Sequence, residues 1–225
     1  MGEPLNTVAE VEEWLSLPDG VEVGLHSYDW GDAIEPKGID YLTRFEATPR
    51  WTYAVSGITL TRELWLEERV DAVWIRYSIE GLTQPIRLRL RPLIRCRPIH
   101  DLTFANPFLN GEIDVEHGKC LQIVMQPYKN VPPLVASLHG VAGSFHADGH
   151  WYEGIHYAWE RERGYDDRED LFTPGELRVQ LDHDGTFGIR LGTERPASHE
   201  PQVLSTVLSP HRSFVQELED AADAF

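Results

Sequence analysis

The chain has 225 residues and a formal net charge of −17, from 37 acidic and 20 basic side chains. This charge repels phosphate backbones, so we expect no nucleic-acid partner. No apolar run approaches the roughly 20 residues of a membrane-spanning helix, and the acidic start lacks the features of a secretory signal, so no membrane partner is expected. The two cysteines, Cys96 and Cys120, are too few for a disulfide framework and favour a cytoplasmic protein with free thiols.

The first residues of the chain differ in pattern from the rest. Residues 1–20 have weak helical spacing and end in a Pro-Asp-Gly turn, so we expect a short helix or an irregular lead-in there. From Tyr41 onward, apolar and polar residues alternate as in β-strands. Within residues 71–82, for example, the alternation places four apolar side chains on one face, namely Val73, Ile75, Tyr77 and Ile79.

Short turns between these strands predict antiparallel pairing. Ser56-Gly57, Asp148-Gly149 and Asp184-Gly185 are each expected to close a hairpin. About ten strands then form an all-β fold, a large antiparallel β-sandwich, with a short C-terminal helix after Pro210. The predicted organisation is a lead-in at 1–20, a sandwich domain at 21–208 and a helical segment at 209–225.

One predicted strand carries a row of basic side chains: Arg87, Arg89, Arg91, Arg95 and Arg97. Aliphatic residues alternate with the first three arginines, so the strand is expected to be half-buried with one arginine-covered face. In so acidic a chain, these arginines are predicted to pair with carboxylates of neighbouring strands rather than with phosphate. Cys96 falls on the opposite face and is expected to be a core residue.

The stretch at residues 151–175, WYEGIHYAWERERGYDDREDLFTPG, combines aromatic rings with closely spaced carboxylates and guanidinium groups. Rings can cover the apolar faces of sugars, and charged groups at the rim can exchange hydrogen bonds with hydroxyls. This composition suits a site for a hydroxyl-rich ligand or a contact with another domain. The alternative is a solvated, charged turn between two strands.

A glycosidase carboxylate pair and a zinc site are two further possibilities in or near this stretch. Glycoside hydrolysis needs two carboxyl groups across the bond, and Glu162 with Asp166 or Asp167 with Asp170 are possible pairs, but ion pairs at the surface are the favoured interpretation. Three histidines, His146, His150 and His156, lack the further ligands of a zinc site and are expected to face solvent. No phosphate-binding loop, dinucleotide motif or serine elbow is present, and we predict no cofactor and no metal.

Residues 151–175 resemble the signature of the N-terminal domain of bacterial and archaeal glycogen debranching enzymes (amylo-α-1,6-glucosidases). The matching positions are Trp151-Tyr152, Tyr157, Glu160, Arg163-Gly164, Asp166, Glu169-Asp170-Leu171 and Pro174-Gly175. Residues 34–66 and 86–103 resemble further segments of that family, and residues 218–225 resemble the segment before its catalytic domain. The glycine-rich Asn-Gly-Leu-Gly-Gly segment that usually begins the family's domain is not found before residue 21.

The resemblance implies a β-supersandwich accessory domain whose catalytic partner is an (α/α)6 helical barrel beyond residues 209–225. The barrel carries the catalytic carboxylates, so no catalytic residue is carried over to this chain. The implied role is to dock on the barrel and shape the cleft for glycogen or another α-glucan. The alternative is a stand-alone α-glucan-binding module, and a third, weaker reading is an autonomous glycosidase. The candidate residues for sugar or inter-domain contact are Trp151, Tyr152, Tyr157, Trp159, Glu160, Arg163, Asp166, Glu169 and Asp170.

Overall fold

A computed structural model describes residues 5–46, 49–67 and 69–196. Over these ranges the chain forms fifteen β-strands, one 3-10 helix at Gly38–Tyr41 and one α-helix, α1, at Ala158–Glu162. The strands are β1 Leu5–Ser16, β2 Glu22–Gly24, β3 Tyr28–Asp29, β4 Ile34–Glu35, β5 Leu42–Glu46, β6 Arg50–Val55, β7 Ile58–Leu66, β8 Ala72–Glu80, β9 Ile86–Pro98, β10 Ile113–His117, β11 Leu121–Met125, β12 Leu134–His139, β13 Gly143–His156, β14 Arg168–Leu181 and β15 Gly185–Gly192.

The strands form two large antiparallel sheets and one small ribbon. The five-stranded sheet has the order β13-β14-β9-β1-β2, and the eight-stranded sheet has the order β10-β11-β12-β15-β8-β7-β6-β5. The ribbon pairs β3 with β4. The predicted all-β sandwich is therefore confirmed.

The hydrophobic core lies between the two sheets. Leu15, Leu88 and Leu177 of the five-stranded sheet belong to the same buried cluster as Tyr77 and Ile189 of the eight-stranded sheet. Alternation along each strand directs every second side chain into this layer. Full burial of one large aliphatic side chain contributes about 1.5–3 kcal/mol, so this layer is the main source of stability.

The prediction of a helix or irregular lead-in within residues 1–20 is wrong for the residues that the structure describes. Leu5–Ser16 is strand β1, and it lies between β9 and β2 in the five-stranded sheet. The alternation was hidden because Glu13 occupies a core-facing position between Val11 and Leu15. Its carboxylate is 1% exposed and accepts hydrogen bonds from Arg62 and from the Tyr77 hydroxyl.

Of the three predicted hairpins, the one at Ser56-Gly57 is confirmed. Val55 pairs with Ile58, and both turn residues have positive φ, 48° and 83°, as a tight two-residue hairpin requires. Asp148-Gly149 does not reverse the chain. Strand β13 continues through both residues, and the pairing with β14 shifts register between Ala147 and His150 instead.

The hairpin predicted at Asp184-Gly185 is also wrong. The chain bends there, but β14 belongs to the five-stranded sheet and β15 to the eight-stranded sheet. The connection thus crosses between the two layers of the sandwich. Turn residues specify a local change of direction, whereas the sheet that a strand joins depends on which partners are available in the tertiary structure.

The arginine-lined strand is β9, and its predicted pairing with carboxylates is confirmed for four of the five arginines. Arg89 pairs with Glu22 and Glu176, Arg91 with Glu12, Asp148 and Glu176, and Arg95 and Arg97 with Glu169. These carboxylates lie on β1, β2, β13 and β14. Cys96 is buried against an apolar cluster as predicted, and burial raises its pKa to about 11.

The predicted C-terminal helix at residues 209–225 lies outside the described residues. Within the described ranges, no helix is long and apolar enough to cross a bilayer.

Candidate functional site

A large cleft lies beside the connection between β13 and β14, which contains α1. It has a volume of about 1160 Å³ and opens between this connection and the segment that follows β9. The connection contributes Trp159, Glu160, Tyr165 and Asp166, and the segment after β9 contributes residues 99–102 and Phe104. The base includes Asp29, Arg95, Arg97, His156 and Tyr157. We refer to it as the α1 cleft.

Local hydrogen bonds set the shape of the connection. The backbone N–H of Tyr157 donates to the Asp167 carbonyl at 2.8 Å, so the two ends of the connection are held together. One helical turn follows, and Gly164, with φ of 78°, reverses the chain at its end. The Tyr165 N–H then donates back to the Glu160 carbonyl at 3.0 Å. This compact turn projects Trp159 and Tyr165 outward.

The rim of the α1 cleft is formed by exposed aromatic and aliphatic side chains. Trp159 is 74% exposed, Tyr165 68%, Phe104 58% and Ile99 46%. Phe108, on the same segment after β9, is 82% exposed. Single exposed apolar residues are common, but several large ones grouped on one face mark an interaction surface.

The floor of the α1 cleft rests on a buried ion-pair network centred on Glu169, which is completely buried. Its carboxylate accepts hydrogen bonds from Arg95, Arg97, the Tyr157 hydroxyl and the Thr103 N–H. Burial alone would raise the pKa of Glu169, but these donors outweigh it and the pKa is lowered. Glu169 therefore stays ionised and pairs with two arginines beneath the cleft, offsetting one of their two positive charges.

A second network at the base connects three elements through His156. The His156 Nδ1 atom lies 2.6 Å from Asp29 Oδ2, and its Nε2 atom lies 3.0 Å from Asp167 Oδ2. Arg161 donates to the same Asp167 oxygen at 2.7 Å. The pKa of Asp29 is lowered, first by the hydrogen bond with His156, so its carboxylate is ionised at neutral pH. The network ties the β3–β4 ribbon to the α1 connection.

The structure brings only part of the predicted site together. Trp159, Glu160 and Asp166 line the α1 cleft with Tyr157, and Arg163 is exposed beside Glu160, with its Nη1 atom 3.4 Å from Oε1. Glu160 and Asp166 are the predicted carboxylates that face the opening.

Trp151 and Tyr152 occupy different environments. Trp151 packs edge-to-face on Phe172, with 5.4 Å between ring centroids. The Tyr152 hydroxyl instead donates to Glu12 at 3.0 Å and accepts from Arg91 at 2.8 Å. Neighbouring residues of a strand point to opposite faces, so these two rings do not serve one pocket.

Glu169 and Asp170 have structural contacts. Glu169 is the centre of the buried ion-pair network. The Asp170 carboxylate accepts hydrogen bonds from the backbone N–H groups of Ala105, at 2.8 Å, and Gly154, at 2.7 Å. It thereby fixes the segment after β9 against β13, and this segment forms one wall of the α1 cleft.

The two carboxylate pairs that were possible for glycoside hydrolysis either contact other protein groups or are exposed to solvent. Asp167 contacts His156 and Arg161, and Asp170 holds two backbone amides, while Glu162 and Asp166 are exposed. The prediction that the histidines face solvent is wrong for His156, which is 7% exposed, whereas His146 is exposed. Across residues 5–46, 49–67 and 69–196, no group of three metal-binding side chains is found.

The sequence did not predict two sets of residues that lie at this face of the molecule. Asp29, Phe104 and Tyr165 complete the α1 cleft. A row of rings, Trp14, His26, Tyr28 and Trp30, lies beside it, with consecutive centroids 5.1, 5.0 and 5.7 Å apart. The alternation of His26, Tyr28 and Trp30 along the chain was the available signal. Only the tertiary structure places Trp14 next to them.

Comparison with known proteins identified one family. The family model described as "Glycogen debranching enzyme N terminal" matches residues 3–187. The match includes β1, which the sequence reading placed in the lead-in, and both walls of the α1 cleft. No curated protein matches the chain.

Proposed function

The chain belongs to the glycogen debranching enzyme N-terminal family, and from this premise we propose that it docks on the helical-barrel catalytic domain of a debranching enzyme through the rim of the α1 cleft. The docked rim then forms one wall of the cleft that receives the α-glucan. The helical barrel and its substrate follow from what the resemblance implies for such domains.

The observation that carries the proposal is the exposed apolar rim above a buried floor of ion-paired and hydrogen-bonded side chains. Trp159, Tyr165 and Phe104 are each more than half exposed on one face. Interface cores are rich in aromatic residues, and truncation of a buried aromatic anchor often costs more than 1 kcal/mol of binding free energy. The fixed walls of the cleft limit the conformational entropy lost on docking.

A titration with a separately expressed helical-barrel domain of a debranching enzyme tests this proposal. We expect Phe104→Ser and Trp159→Ser each to weaken association at least tenfold, measured by calorimetry, which corresponds to about 1.4 kcal/mol. Phe45→Ser is the matched control, because Phe45 is 60% exposed, as Phe104 is 58% exposed, but lies on the eight-stranded sheet. Equal affinities of Phe104→Ser, Trp159→Ser and the unsubstituted chain would contradict docking through this rim.

The alternative is a stand-alone α-glucan-binding module that uses the same rim. Of the four candidate aromatic residues, Trp151, Tyr152, Tyr157 and Trp159, the last is the exposed one, and Tyr165 lies near it on the same turn. If this role is correct, maltooligosaccharides bind the chain without a barrel, and Trp159→Ser abolishes that binding.

We place this role in the cytoplasm. The chain has two cysteines, too few for a disulfide framework, which suits a reducing compartment.

A further inference from the structure

A second cleft lies on the other side of the β3–β4 ribbon from the α1 cleft. Its volume is about 600 Å³, within the usual range for small-molecule sites. Its lining residues are Glu12, Trp14, His26, Tyr28, Trp30, Glu35, Pro36, Lys37 and Tyr152. Asp29 of the ribbon lines the α1 cleft, whereas its neighbours Tyr28 and Trp30 line this one. We call it the ring cleft.

The walls of the ring cleft are aromatic. Trp14, His26, Tyr28 and Trp30 form a continuous row, and Tyr152 packs against Tyr28 with 6.1 Å between centroids. Trp14, Trp30 and Tyr152 are only partly buried, so parts of their rings are accessible from the cleft. Aromatic rings in this arrangement can cover the apolar C–H surface of a flat, hydroxyl-rich ligand.

The floor of the ring cleft is polar and buried. The side chains of Glu12 and His26 are 1% and 3% exposed. Neither ring nitrogen of His26 makes a hydrogen bond of good geometry with the protein: Nε2 lies 3.4 Å from Glu12 Oε1, and the backbone of Glu13 is a second, weak polar contact. Buried polar atoms normally have partners, and a buried one without a partner costs about 1–3 kcal/mol. A ligand hydroxyl in the cleft would supply this partner.

The loop that closes the ring cleft is fixed in position by two glycines. A Cβ atom on Gly24 would lie 2.6 Å from Pro36 Cγ and 3.2 Å from His26 Cε1. One on Gly38 would lie 2.2 Å from the Leu25 carbonyl. The Gly38 N–H also donates to the His26 carbonyl at 2.9 Å. The cleft is therefore preformed, which limits the entropy lost when a ligand binds.

The charges around the ring cleft favour a neutral ligand. Glu12 already accepts a hydrogen bond from Tyr152, and the Arg91 Nε atom lies 4.0 Å from it, so no cation is needed to neutralise it. Lys37 at the rim disfavours a cationic ligand, and Glu35 beside it disfavours an anionic one. Burial lowers the pKa of His26 to about 4, so its imidazole is neutral near pH 7 and can both donate and accept.

We propose that the ring cleft binds an α-glucan, with one neutral glucosyl unit stacked on Trp30 and another near Trp14, and with hydrogen bonds from the sugar hydroxyls to His26 and Glu12. The identity of the sugar follows from the family to which the chain belongs. The proposal does not depend on docking through the α1 cleft, because the two clefts are lined by different side chains. It gives the domain its own contact with the polymer.

Titration of the 225-residue chain with maltoheptaose, followed by intrinsic tryptophan fluorescence and calorimetry, tests the proposal. We expect saturable binding that Trp30→Ala weakens at least tenfold. Trp30 lies at the partly exposed edge of the fold, so this variant is expected to stay folded. Lys37→Ala, at the exposed rim, is expected to change the affinity less than threefold, because no charge–charge contact with the sugar is required.

Phe45→Ser is the matched control, since it removes an exposed aromatic ring that lines neither cleft and should leave the affinity unchanged. The proposal is overturned if no saturable binding is detected up to about 10 mM maltoheptaose, well above the millimolar constants of weak specific binding. It is also overturned if Trp159→Ser, and not Trp30→Ala, abolishes binding, which would place the sugar in the α1 cleft. Competition by tetramethylammonium would overturn it too, because it would identify a cation cage.

Discussion

At the scale of single residues, two carboxylates of this fold have pKa values shifted in opposite directions, because their surroundings differ. Glu169 lies among two arginines, a tyrosine hydroxyl and a backbone amide, and its pKa is lowered. Glu10 is close to Glu12 and Glu13 on β1, and burial, with the repulsion of these neighbours, raises its pKa to about 7. The Tyr28 hydroxyl donates to Glu10 at 2.9 Å and offsets this only in part. Each charged group in a sheet must therefore be judged by its partners.

The raised pKa of Glu10 predicts a pH-dependent stability. Between about pH 4.5 and pH 7 the unfolded chain loses the Glu10 proton while the folded chain keeps it, so the free energy of unfolding falls as the pH rises. Glu10→Gln removes this effect, and the amide oxygen can still accept from Tyr28. We expect the variant to match the natural chain at pH 4.5 and to be more stable at pH 8 by on the order of 1–3 kcal/mol.

Urea denaturation of both proteins across this pH range measures the difference. A difference between the two free energies of unfolding that stays constant from pH 4.5 to pH 8 would contradict the assignment to Glu10.

At the scale of elements, β13 and β14 show how local irregularity positions the candidate site. Their pairing shifts register twice, between Ala147 and His150 and between Tyr152 and Ile155. Bulges of this kind change the direction of a strand and its twist. The second register shift lies just before the α1 connection, so it affects the position and direction of this wall of the α1 cleft.

Gly175 makes the first of these irregularities possible. Its φ is 138°, and a Cβ atom there would lie 2.2 Å from the His146 carbonyl oxygen and 2.9 Å from the Asp148 nitrogen, both backbone atoms of β13. We expect Gly175→Ala to lower the free energy of unfolding by about 3 kcal/mol or more, because backbone strain and overpacking add.

Gly118→Ala is the control, since a Cβ atom there has no heavy atom within 4 Å and the backbone is not in the left-handed region. It should change stability by less than about 0.5 kcal/mol. Chemical denaturation compares the two variants, and an equal, small effect of both would show that the strands adjust to a side chain at position 175.

At the scale of the whole molecule, the outer face of the five-stranded sheet is the distinctive surface. It carries the basic row of β9, the carboxylates of β1 and β14 that pair with it, and both clefts. Four of the five arginines of the row contact carboxylates. The net charge of −17 and the pairing of these arginines both disfavour binding to nucleic acids.

We therefore expect no association with a duplex DNA at low salt. Fluorescence anisotropy with a labelled duplex should remain unchanged at about 10 µM protein, a concentration at which non-specific DNA-binding proteins associate. Binding that weakens with added salt and is lost in Arg87→Ala would contradict this expectation and would identify the arginine row as a phosphate site.

The amino-acid sequence determined the class of fold and much of its detail. Alternating apolar residues indicated an all-β sandwich, the row of arginines indicated a half-buried strand paired with acids, and Ser56-Gly57 indicated a tight hairpin. These features are local, because the alternation of side chains along a strand and the type of a turn each depend on only a few neighbouring residues. The family that residues 151–175 resemble is also the one whose model matches residues 3–187.

Tertiary structure decided the rest. Strand β1 was hidden because a buried acid, Glu13, interrupts its apolar alternation, and its partner Arg62 lies far along the chain. The connection at Asp184 crosses between sheets because sheet membership depends on distant strands. The predicted site separated into two clefts and a buried ion-pair network because adjacent strand residues point to opposite faces. Pairing between strands that are distant in sequence placed Trp14 beside His26, next to Tyr28 and Trp30, and so formed the ring cleft.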